Sequence, residues 1–458
     1  MFQINEKNKL YSIIAVTLSL AITMINISII AIALPKISNS LQFTKLSPQW
    51  IINAYILSMT SFGLISGKLS DLFKSKNIMI IGLFLFIISS FGCFYSSNYV
   101  VLIFFRAIQG AASVLFSTPA LNLLSKMFNH NELGRAIGTA TGVASIGLIV
   151  APPFGGWIIE LLDWRWIFLI SLPLCVIAIL SLLKIKEENI SKENIKKSPT
   201  DYAGFAYISL FLFLMVFSIM ESNSEQWNKL VLTFTFIISI LALILFVYSE
   251  KGKKTPLINF KILKRKRFIA ANIISFSGQT ISISVIFWIT YMQTGLLYTP
   301  AETAMLMLPL YSLISLFSFI SGKWIDSKGP SLPLFFGVFA TFTGCTITTL
   351  VLSYKDYWTL IPAIIGTGIG FSIILNSIRV IVINMTSQNE LGVSLGLLGN
   401  LRQIFGCISL AIFSNIESYY QVSESNYFFD AIYLIMLINV IVSFISLILS
   451  GYLKLKSK

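Results

Sequence analysis

Long apolar runs alternate with short polar stretches along the whole chain of 458 residues. An α-helix needs roughly 20 mainly apolar residues to cross the hydrocarbon core of a bilayer, and most of the runs reach that length. They are continuously apolar, which favours helices over the alternating pattern of a membrane β-barrel. The runs lie near 11–34, 50–69, 78–96, 99–123, 136–160, 165–184, 203–221, 229–249, 268–290, 301–322, 332–353, 358–383, 392–416 and 429–453. The pattern predicts fourteen membrane-spanning helices, numbered spans 1 to 14.

Composition supports an integral membrane protein of the all-α class. Hydrophobic residues make up 56% of the chain and charged residues 11%, and the mean hydropathy is +0.83. These values lie outside the usual balance of a soluble domain. The first run is too long for the core of a signal peptide and no small-residue cleavage site follows it, so we expect it to remain as span 1.

The distribution of Lys and Arg predicts the orientation of the chain. If the N-terminus is cytoplasmic, the cytoplasmic loops hold most of the cations, and the stretch 250–267 is the most basic. This is the arrangement of the positive-inside rule, and it places both termini in the cytoplasm of a bacterial inner membrane. The net charge of +14 follows this loop pattern, so it indicates contact with anionic lipid headgroups and no nucleic-acid partner.

Two motifs occur twice. The sequence Gly-Lys-Leu-Ser-Asp at 67–71 recurs as Gly-Lys-Trp-Ile-Asp at 322–326, and Asn-Glu-Leu-Gly at 131–134 recurs at 389–392. Both pairs stand at the ends of long apolar runs, so the repeated unit is a bundle of membrane helices. Spans 1–6 and 9–14 then form two copies of a six-helix bundle, and spans 7 and 8 are an insertion between them. A duplicated bundle is typical of carriers in which two halves rock about a central site.

The predicted domain boundaries follow from the repeat and from the two longest polar stretches. They are an N-terminal six-helix bundle at 1–184, a cytoplasmic linker at 185–202, inserted helices at 203–249, a basic cytoplasmic linker at 250–267 and a C-terminal six-helix bundle at 268–458.

The first candidate site is a conformational latch at the predicted cytoplasmic ends of spans 2 and 10. Gly67 and Gly322 permit close approach of helices, and Asp71 and Asp326 follow them near a helix end, with Lys76 nearby. A carboxylate there can cap a neighbouring helix or pair with a cation while the cytoplasmic side is closed. The alternative for each Asp alone is a solvated loop residue, and the second copy favours the latch.

The second candidate site consists of polar residues within apolar spans. Arg106 and Gln109 lie in span 4, and Arg402 lies within span 13. A charge in the membrane is costly unless it faces a cavity or a partner, so these residues are candidates for substrate or ion coupling. The alternative for Arg106 is that its long side chain reaches the outer interface. Asn26 and Trp288 are further substrate or coupling candidates.

Span 5 carries the densest pattern in the chain. Gly138, Gly147, Pro152, Gly155 and Gly156 lie within one apolar run. Small residues allow close helix packing, and prolines remove amide donors and bend a helix. We expect a kinked helix at the seam between the halves, with a purely structural bend as the alternative.

These motifs together resemble the major facilitator superfamily, in particular its fourteen-span drug:proton antiporter family of multidrug and tetracycline exporters. The residues at 67–71 resemble the superfamily's signature between helices 2 and 3, those at 106–110 its helix 4 signature, and the span 5 pattern the helix 5 signature of exporters. Further similar segments are 25–35, 164–168 and 201–204. The resemblance implies a two-bundle fold with two extra helices, and proton-driven export of small molecules or drugs by alternating access.

The chain departs from that family at residues that bear on the substrate. Members of the family often have an acidic residue in helix 1 at the position that Asn26 occupies in this chain. An amide cannot take up and release a proton as a carboxylate does. No carboxylate is clearly at mid-membrane, whereas Arg106, Arg379 and Arg402 lie within spans. A cavity lined by arginines attracts anions. Export or exchange of an anionic metabolite, siderophore or lipid is therefore an alternative to general drug export.

Other function classes find little support in the sequence. The four cysteines fall in different spans, and the chain has one histidine, so we expect no metal site and no cofactor. Neither a phosphate-binding loop nor a nucleophile motif is present, which argues against an enzyme. A channel or a membrane-embedded enzyme remains the alternative of another class. The expected partners are the substrate, a proton or other coupling ion and lipids, and the expected state is a monomer.

Overall fold

The computed structural model describes residues 6–41, 46–72, 74–128, 130–185, 202–224, 226–251, 253, 260–386, 391–421 and 427–455. Helices account for the regular structure in those residues. They are α1 Glu6–Leu41, α2 Trp50–Leu72, α3 Ser75–Phe94, α4 Tyr99–Met127, α5 His130–Leu161, α6 Leu172–Lys184, α7 Tyr202–Met220, α8 Lys229–Glu250, α9 Phe260–Leu263, α10 Lys266–Thr290, α11 Pro300–Leu306, α12 Leu308–Lys328, α13 Ser331–Val351, α14 Ile361–Met385, α15 Leu391–Gln421 and α16 Tyr427–Leu455.

Each predicted span coincides with helix in the structure. Thirteen helical segments of the described residues are long and apolar enough to cross a membrane, and α2 occupies the position of the remaining predicted span. Large apolar side chains such as Phe84, Ile88 and Phe234 are exposed on these helices, as expected where a helix faces lipid. The prediction of an all-α membrane fold is confirmed.

Three predicted spans differ in detail. Span 6 begins with a 3₁₀ turn at Trp164–Phe168 and continues as α6. Span 9 ends in a π-helical turn at Tyr291–Gly295. Span 10 consists of α11 and α12, which are separated at Met307. Span 10 divides at Met307 because the second residue of α12 is a proline. The fixed φ of proline and its missing amide hydrogen suit the start of a helix better than its interior.

Prolines inside the spans do not end the helices. α1 continues past Pro35 to Leu41, and α4 contains Pro119. α5 runs from His130 to Leu161 with Pro152 and Pro153 inside it. In a membrane helix, neighbouring groups and small local adjustments can satisfy the carbonyl groups that a proline leaves without a donor.

The chain divides into two compact units. Unit 1 comprises Met1–Thr44, Trp50–Leu210 and Ala242–Leu257, and unit 2 comprises Lys45–Gln49, Phe211–Leu241 and Ile258–Lys458. The dividing points within α7 and α8 fall inside the predicted insertion.

Within unit 1, α4 packs against α1, α2 and α3, and α1 also packs against α5 and α6. An apolar core between these helices includes Phe86 and Phe116, whose rings meet edge to face at 5.6 Å. The close crossing of α3 and α4 depends on Gly82, where a Cβ atom would lie 3.0 Å from the Ala112 carbonyl oxygen.

Within unit 2, the helices pack in the same order. α14 packs against α10, α12 and α13, and α10 also packs against α15 and α16. At Gly337 in α13 a Cβ atom would lie 3.2 Å from the Gly370 carbonyl oxygen on α14. Gly337 and Gly370 are the repeat counterparts of Gly82 and Ala112, so the duplication found in the motifs extends to the internal packing of the units.

All four cysteines are buried, and none of them forms a disulfide bond. Cys93 and Cys175 lie in unit 1, and Cys345 and Cys407 lie in unit 2. Among the described residues, no group of His, Cys, Asp and Glu could hold a metal ion.

Candidate functional site

Arg106 is the centre of a polar cluster inside unit 1. Only 1% of the residue is exposed. Its Nε donates to the carbonyl oxygen of Ile51 on α2 at 2.9 Å, and its Nη1 donates to Asn26 Oδ1 on α1 at 2.5 Å and to Gln109 Oε1 at 2.6 Å. The guanidinium group therefore links three spans. It does not reach an aqueous interface, as a snorkelling arginine would.

The cluster extends on both sides of the guanidinium group. The Gln109 amide donates to Ser90 Oγ on α3 at 2.8 Å, which adds a fourth span. The Tyr55 ring lies 4.4 Å from the Arg106 guanidinium carbon, within range of a cation–π interaction. Arg106 Nη2 is buried and has no hydrogen-bond partner within the described part of the chain. The cluster thus combines a buried positive charge with amide and hydroxyl partners and one unused donor.

Gly110 allows this cluster to form. A Cβ atom at this position would lie 2.1 Å from the Tyr55 carbonyl oxygen, which no side chain permits. The α4 backbone therefore contacts the α2 backbone directly, one turn from Arg106. Sequence analysis identified Arg106, Gln109 and Asn26, which the structure brings together. It missed Ile51 and Tyr55 because a backbone carbonyl and a ring in an apolar run give no distinct signal.

The small residues of α5 divide into two groups. A Cβ atom at Gly155 would lie 2.2 Å from Ile29 of α1, and one at Gly147 would lie 3.0 Å from Ile25, so these glycines permit the close packing of α5 on α1. Pro152 and Gly156 are buried in the same half of the helix. Gly138 is exposed, with open space around it.

The predicted latch residues are only partly within the described structure. Gly67 and Asp71 lie in α2, but their side chains fall outside the described residues. Lys76 donates to the carbonyl oxygens of Leu183 at 3.3 Å and Ile185 at 2.7 Å. It therefore caps the C-terminal end of α6, as cations often do.

The second copy of the latch lies near the end of α12. Asp326 is exposed, and the structure gives it no hydrogen bond or ion pair with a described residue. Gly322 has open space at its Cβ position. The role of the latch in both copies stays a prediction.

Unit 2 contains a different arginine site. Arg402 on α15 is partly buried, and its Nε is buried without a hydrogen-bond partner among the described residues. Arg379 on α14 is a second arginine within the spans of unit 2, and it is exposed. The Gln279 amide of α10 lies 3.0 Å from the Cβ position of Gly406, one turn from Arg402 on the same face of α15. This face is cationic and has no described carboxylate partner.

Trp288 lies on α10 in unit 2 and is fully buried, and its Nε1 has no partner among the described residues. The structure does not place it in hydrogen-bond contact with Arg402 or Gln279.

Sequence analysis missed a polar cluster in unit 2 that connects residues 46–49 with the ends of α7 and α15. The Ser47 amide donates to Glu221 Oε1 at 3.1 Å. The Gln49 amide donates to Glu417 Oε2, and Ser414 Oγ donates to Gln49 Oε1 at 3.2 Å. Glu221 is 1% exposed. Sequence analysis placed both glutamates at the ends of predicted spans. It did not show that both would bond to residues 46–49, because this depends on how that segment folds.

Comparison with known proteins identifies relatives along most of the chain. It is 24% identical over 424 residues to the multidrug resistance protein Stp of Mycobacterium tuberculosis, covering 90% of this chain and 76% of that protein. It is 25% identical over 406 residues to the tetracenomycin C resistance and export protein of Streptomyces glaucescens, covering 88% and 74%. It is 25% identical over 370 residues to the multidrug transporter protein MdtP of Bacillus subtilis, covering 80% and 67%.

A solved structure and a family model agree with the fold. The structure is similar to that of the nucleoside transporter NupG, with a TM-score of 0.67, 14% sequence identity, and coverage of 96% of this chain and 99% of that chain. The model of the Major Facilitator Superfamily matches residues 16–410. Its members are transporters rather than enzymes. With that match over most of the chain, and with two units that repeat one helix packing, this protein belongs to the Major Facilitator Superfamily of membrane transporters.

Proposed function

We propose that this protein exports a small organic molecule or drug across the cytoplasmic membrane by ion-coupled antiport. The names of the relatives support export, because they include multidrug resistance and antibiotic export proteins. The distribution of Lys and Arg supports an orientation with both termini in the cytoplasm. The repeated helix packing of the two units supports alternating access, in which two halves rock about a central site.

The observation that carries the proposal is the buried Arg106 cluster. Arg106, Asn26 and Gln109 lie within spans and are buried, so they do not serve as anchors at the membrane surface. Intramembrane polar groups of this kind mark substrate or ion pathways in transporters. Arg106 Nη2 lacks a described partner and is the donor available to a substrate carbonyl, carboxylate or phosphate oxygen.

Flux in proteoliposomes tests this function. Purified protein is reconstituted, and transport is measured for a lipophilic cation (ethidium), a zwitterion (tetracycline) and an organic anion (carboxyfluorescein), with and without a pH gradient. A carrier gives saturable flux and counter-transport. An antiporter driven by protons loses its concentrative flux when the gradient is collapsed. Conductance without saturation would contradict the proposal and indicate a channel.

A second candidate function is export or exchange of an anionic metabolite, siderophore or lipid. The observation that favours it is that Arg379 and Arg402 both lie within spans of unit 2 and have no described carboxylate partner. A substrate carboxylate could pair with a guanidinium group that has no such partner. The same flux assay decides between the candidates, since carboxyfluorescein should then be transported in preference to ethidium.

The residue that carries the coupling proton is a separate question. Asn26 occupies the helix 1 position and cannot titrate. Among the described carboxylates near span ends in unit 2, Glu221 is buried and Glu417 is partly buried, and both bond to the segment 46–49, whereas Asp430 is partly buried at the start of α16. We expect Glu221→Gln or Glu417→Gln to uncouple flux from the pH gradient if one of them carries the proton. Normal gradient-driven flux in both variants would exclude them.

The latch gives a further test of alternating access. Asp71 and Asp326 are proposed to stabilise the state that is closed to the cytoplasm. Asp71→Asn should then shift the population towards the inward-open state, in proportion to the interaction lost. An introduced cysteine in the cytoplasmic half of α2 should label faster in the variant. Unchanged labelling would remove Asp71 from the mechanism.

A further inference from the structure

Two adjoining cavities lie in unit 2 where several helix ends meet. One has a volume of about 290 Å³ and is lined by Arg267 and Lys328. The other has a volume of about 460 Å³ and is lined by Arg265 and Lys266. Arg267 and Asn384 contribute to both. These cavities, defined by Arg265, Lys266, Arg267, Lys328 and Asn384, are called the basic cavity.

The helix ends around the basic cavity belong to one membrane surface. α10 begins at Lys266 and α13 begins at Ser331, while α12, α14 and α16 end at Lys328, Met385 and Leu455. Successive spans cross the membrane in opposite directions. The first residues of α10 and α13 and the last residues of α12, α14 and α16 therefore lie on the same side of the membrane. The clustered Lys and Arg residues assign that side to the cytoplasm in the proposed orientation.

The charges on the described residues that line the basic cavity have one sign. Four of these residues are cationic, and none of them carries a carboxylate. The acidic residue on the adjacent helix end is Asp326, which is exposed and lies two residues before Lys328. Helix dipoles do not reverse this balance, because two positive helix starts and three negative helix ends meet here and largely offset each other. The site therefore attracts an anion.

One wall of the basic cavity is apolar. Ile381 is 7% exposed and Leu453 is 5% exposed, and both line the smaller cavity. Met385 lines both cavities, and Tyr452 lines the larger one. These four residues lie in the last turns of membrane spans, at the depth where headgroups meet acyl chains. A soluble anion would contact only the cationic side, whereas a phospholipid would contact both.

We propose that the basic cavity binds the phosphate headgroup of an anionic phospholipid from the cytoplasmic leaflet, with acyl carbons against Ile381 and Leu453. Basic pockets between spans on the cytoplasmic side have the chemistry for this ligand. The cavity volumes are close to the range of about 300–1,000 Å³ that is typical of small-ligand sites. A bound lipid connects the starts of α10 and α13 with the ends of α12, α14 and α16, and it stabilises unit 2 at that membrane surface.

Lipid retention in native mass spectrometry tests the site. The full-length protein is released from nanodiscs that contain phosphatidylcholine and graded fractions of phosphatidylglycerol. The double variant Arg267→Gln/Lys328→Gln should retain phosphatidylglycerol about 30-fold less well than the unmodified protein, because it removes two cations and each cation near the surface contributes about 1 kcal/mol. The matched control is Lys323→Gln. Lys323 is an exposed lysine on α12 outside the cavity lining, placed over the Phe319 ring, and its loss should leave retention unchanged.

Two measurements of thermal unfolding distinguish a bound phospholipid from a bound soluble anion. Thermal unfolding should shift upwards with the phosphatidylglycerol fraction in the unmodified protein and in Lys323→Gln, and should not shift in the double variant. Glycerol phosphate in detergent solution should give no comparable shift. An equal shift with glycerol phosphate would assign the cavity to a soluble anion and overturn the lipid proposal.

Equal phosphatidylglycerol retention by the double variant would also overturn the proposal. The single variant Lys328→Gln, which should lose retention to a smaller extent, replaces the double variant if the latter does not fold in pure phosphatidylcholine. The readout is binding, so absence of export would not affect it.

Discussion

Arg106 in unit 1 and Arg402 in unit 2 are both arginines within membrane spans, but their surroundings differ. Arg106 donates to Ile51, Asn26 and Gln109 and lies over a tyrosine ring. Arg402 has a buried Nε without a described partner. The guanidinium group of Arg106 is held by three hydrogen bonds and leaves only Nη2 unused. The structure gives the guanidinium group of Arg402 no hydrogen bond to a described residue.

The repeat places these two charges on different helices. The position in unit 2 that corresponds to Arg106 is Ile364, and the position in unit 1 that corresponds to Arg402 is Ala144. Both counterparts are 0% exposed. The duplicated fold therefore tolerates a small or apolar residue at each position, so the fold alone does not require either charge. We infer that Arg106 organises unit 1 and keeps Nη2 as a donor for a substrate, whereas Arg402 has no organising contacts and is available to an anionic group.

The largest effect is expected for Arg106→Ala. The change leaves the Asn26 and Gln109 side-chain oxygens and the Ile51 carbonyl oxygen without their donor, and each buried unpaired group costs about 1–3 kcal/mol. We expect a lower unfolding temperature in detergent. The variant also lacks the Nη2 donor proposed for the substrate, and because a hydrogen bond to a charged group contributes about 1.5–3 kcal/mol, we expect at least a tenfold loss of flux. Arg106→Lys should recover little, because an ammonium group lacks the planar fork of donors. An Arg106→Ala variant as stable as the unmodified protein would show that Arg106 does not organise unit 1.

Gly110→Ala is expected to have the next largest effect. Its Cβ would lie 2.1 Å from the Tyr55 carbonyl oxygen, which is backbone and cannot move without shifting α2. The repeat counterpart is Gly368, where a Cβ atom would lie 2.7 Å from Leu313 Cβ and 3.2 Å from the Leu310 carbonyl oxygen. Overpacking costs about 1–3 kcal/mol, and we expect Gly110→Ala to destabilise more than Gly368→Ala. Thermal unfolding of the two variants side by side measures the difference, and the reverse order would contradict it.

Arg402→Leu should leave stability nearly unchanged, within about 1 kcal/mol, or raise it. Replacing a partly buried charged group that has no described hydrogen-bond partner by an apolar group of similar size removes part of a desolvation cost. Flux of an organic anion should fall at the same time if Arg402 binds substrate. A loss of stability as large as that of Arg106→Ala would show that Arg402 has an organising role too, and the contrast between the two units would disappear.

Asn26→Asp is expected to change stability by a similarly small amount. The amide oxygen accepts from Arg106 at 2.5 Å, so a carboxylate there would form a buried ion pair in the existing geometry. Hydrogen bonds to a charged acceptor are about twice as strong as neutral ones, and we expect stabilisation of about 1 kcal/mol in thermal unfolding. A destabilised Asn26→Asp variant would mean that the positive charge of Arg106 is already balanced by another group.

Much of the fold could be predicted from the sequence because each membrane helix appears as a run of about 20 apolar residues. The apolar runs gave the spans, and the repeated Gly and Asp motifs gave the duplication that recurs in the packing of Gly82 and Gly337. The predicted end of the first span was less accurate, because the apolar run stops at residue 34, just before a proline. α1 passes Pro35, since the neighbouring spans and not local propensity keep the chain helical.

The candidate site was predicted only in part. Arg106, Gln109 and Asn26 were identified because polar residues are conspicuous in apolar runs. Tyr55 and the carbonyl oxygen of Ile51 were not, because their role depends on how closely α2 and α4 cross at Gly110. The ties from residues 46–49 to Glu221 and Glu417 were also missed, since they depend on how a short loop folds back across helix ends.

The burial of every cysteine has a practical consequence for the study of motion. Cys93, Cys175, Cys345 and Cys407 offer no accessible thiol in this conformation, so maleimide reagents should leave the unmodified chain nearly unlabelled. Any single cysteine introduced at the end of a span becomes a selective reporter without prior removal of native thiols. A native cysteine that gained reactivity during transport would itself identify the helix contacts that open.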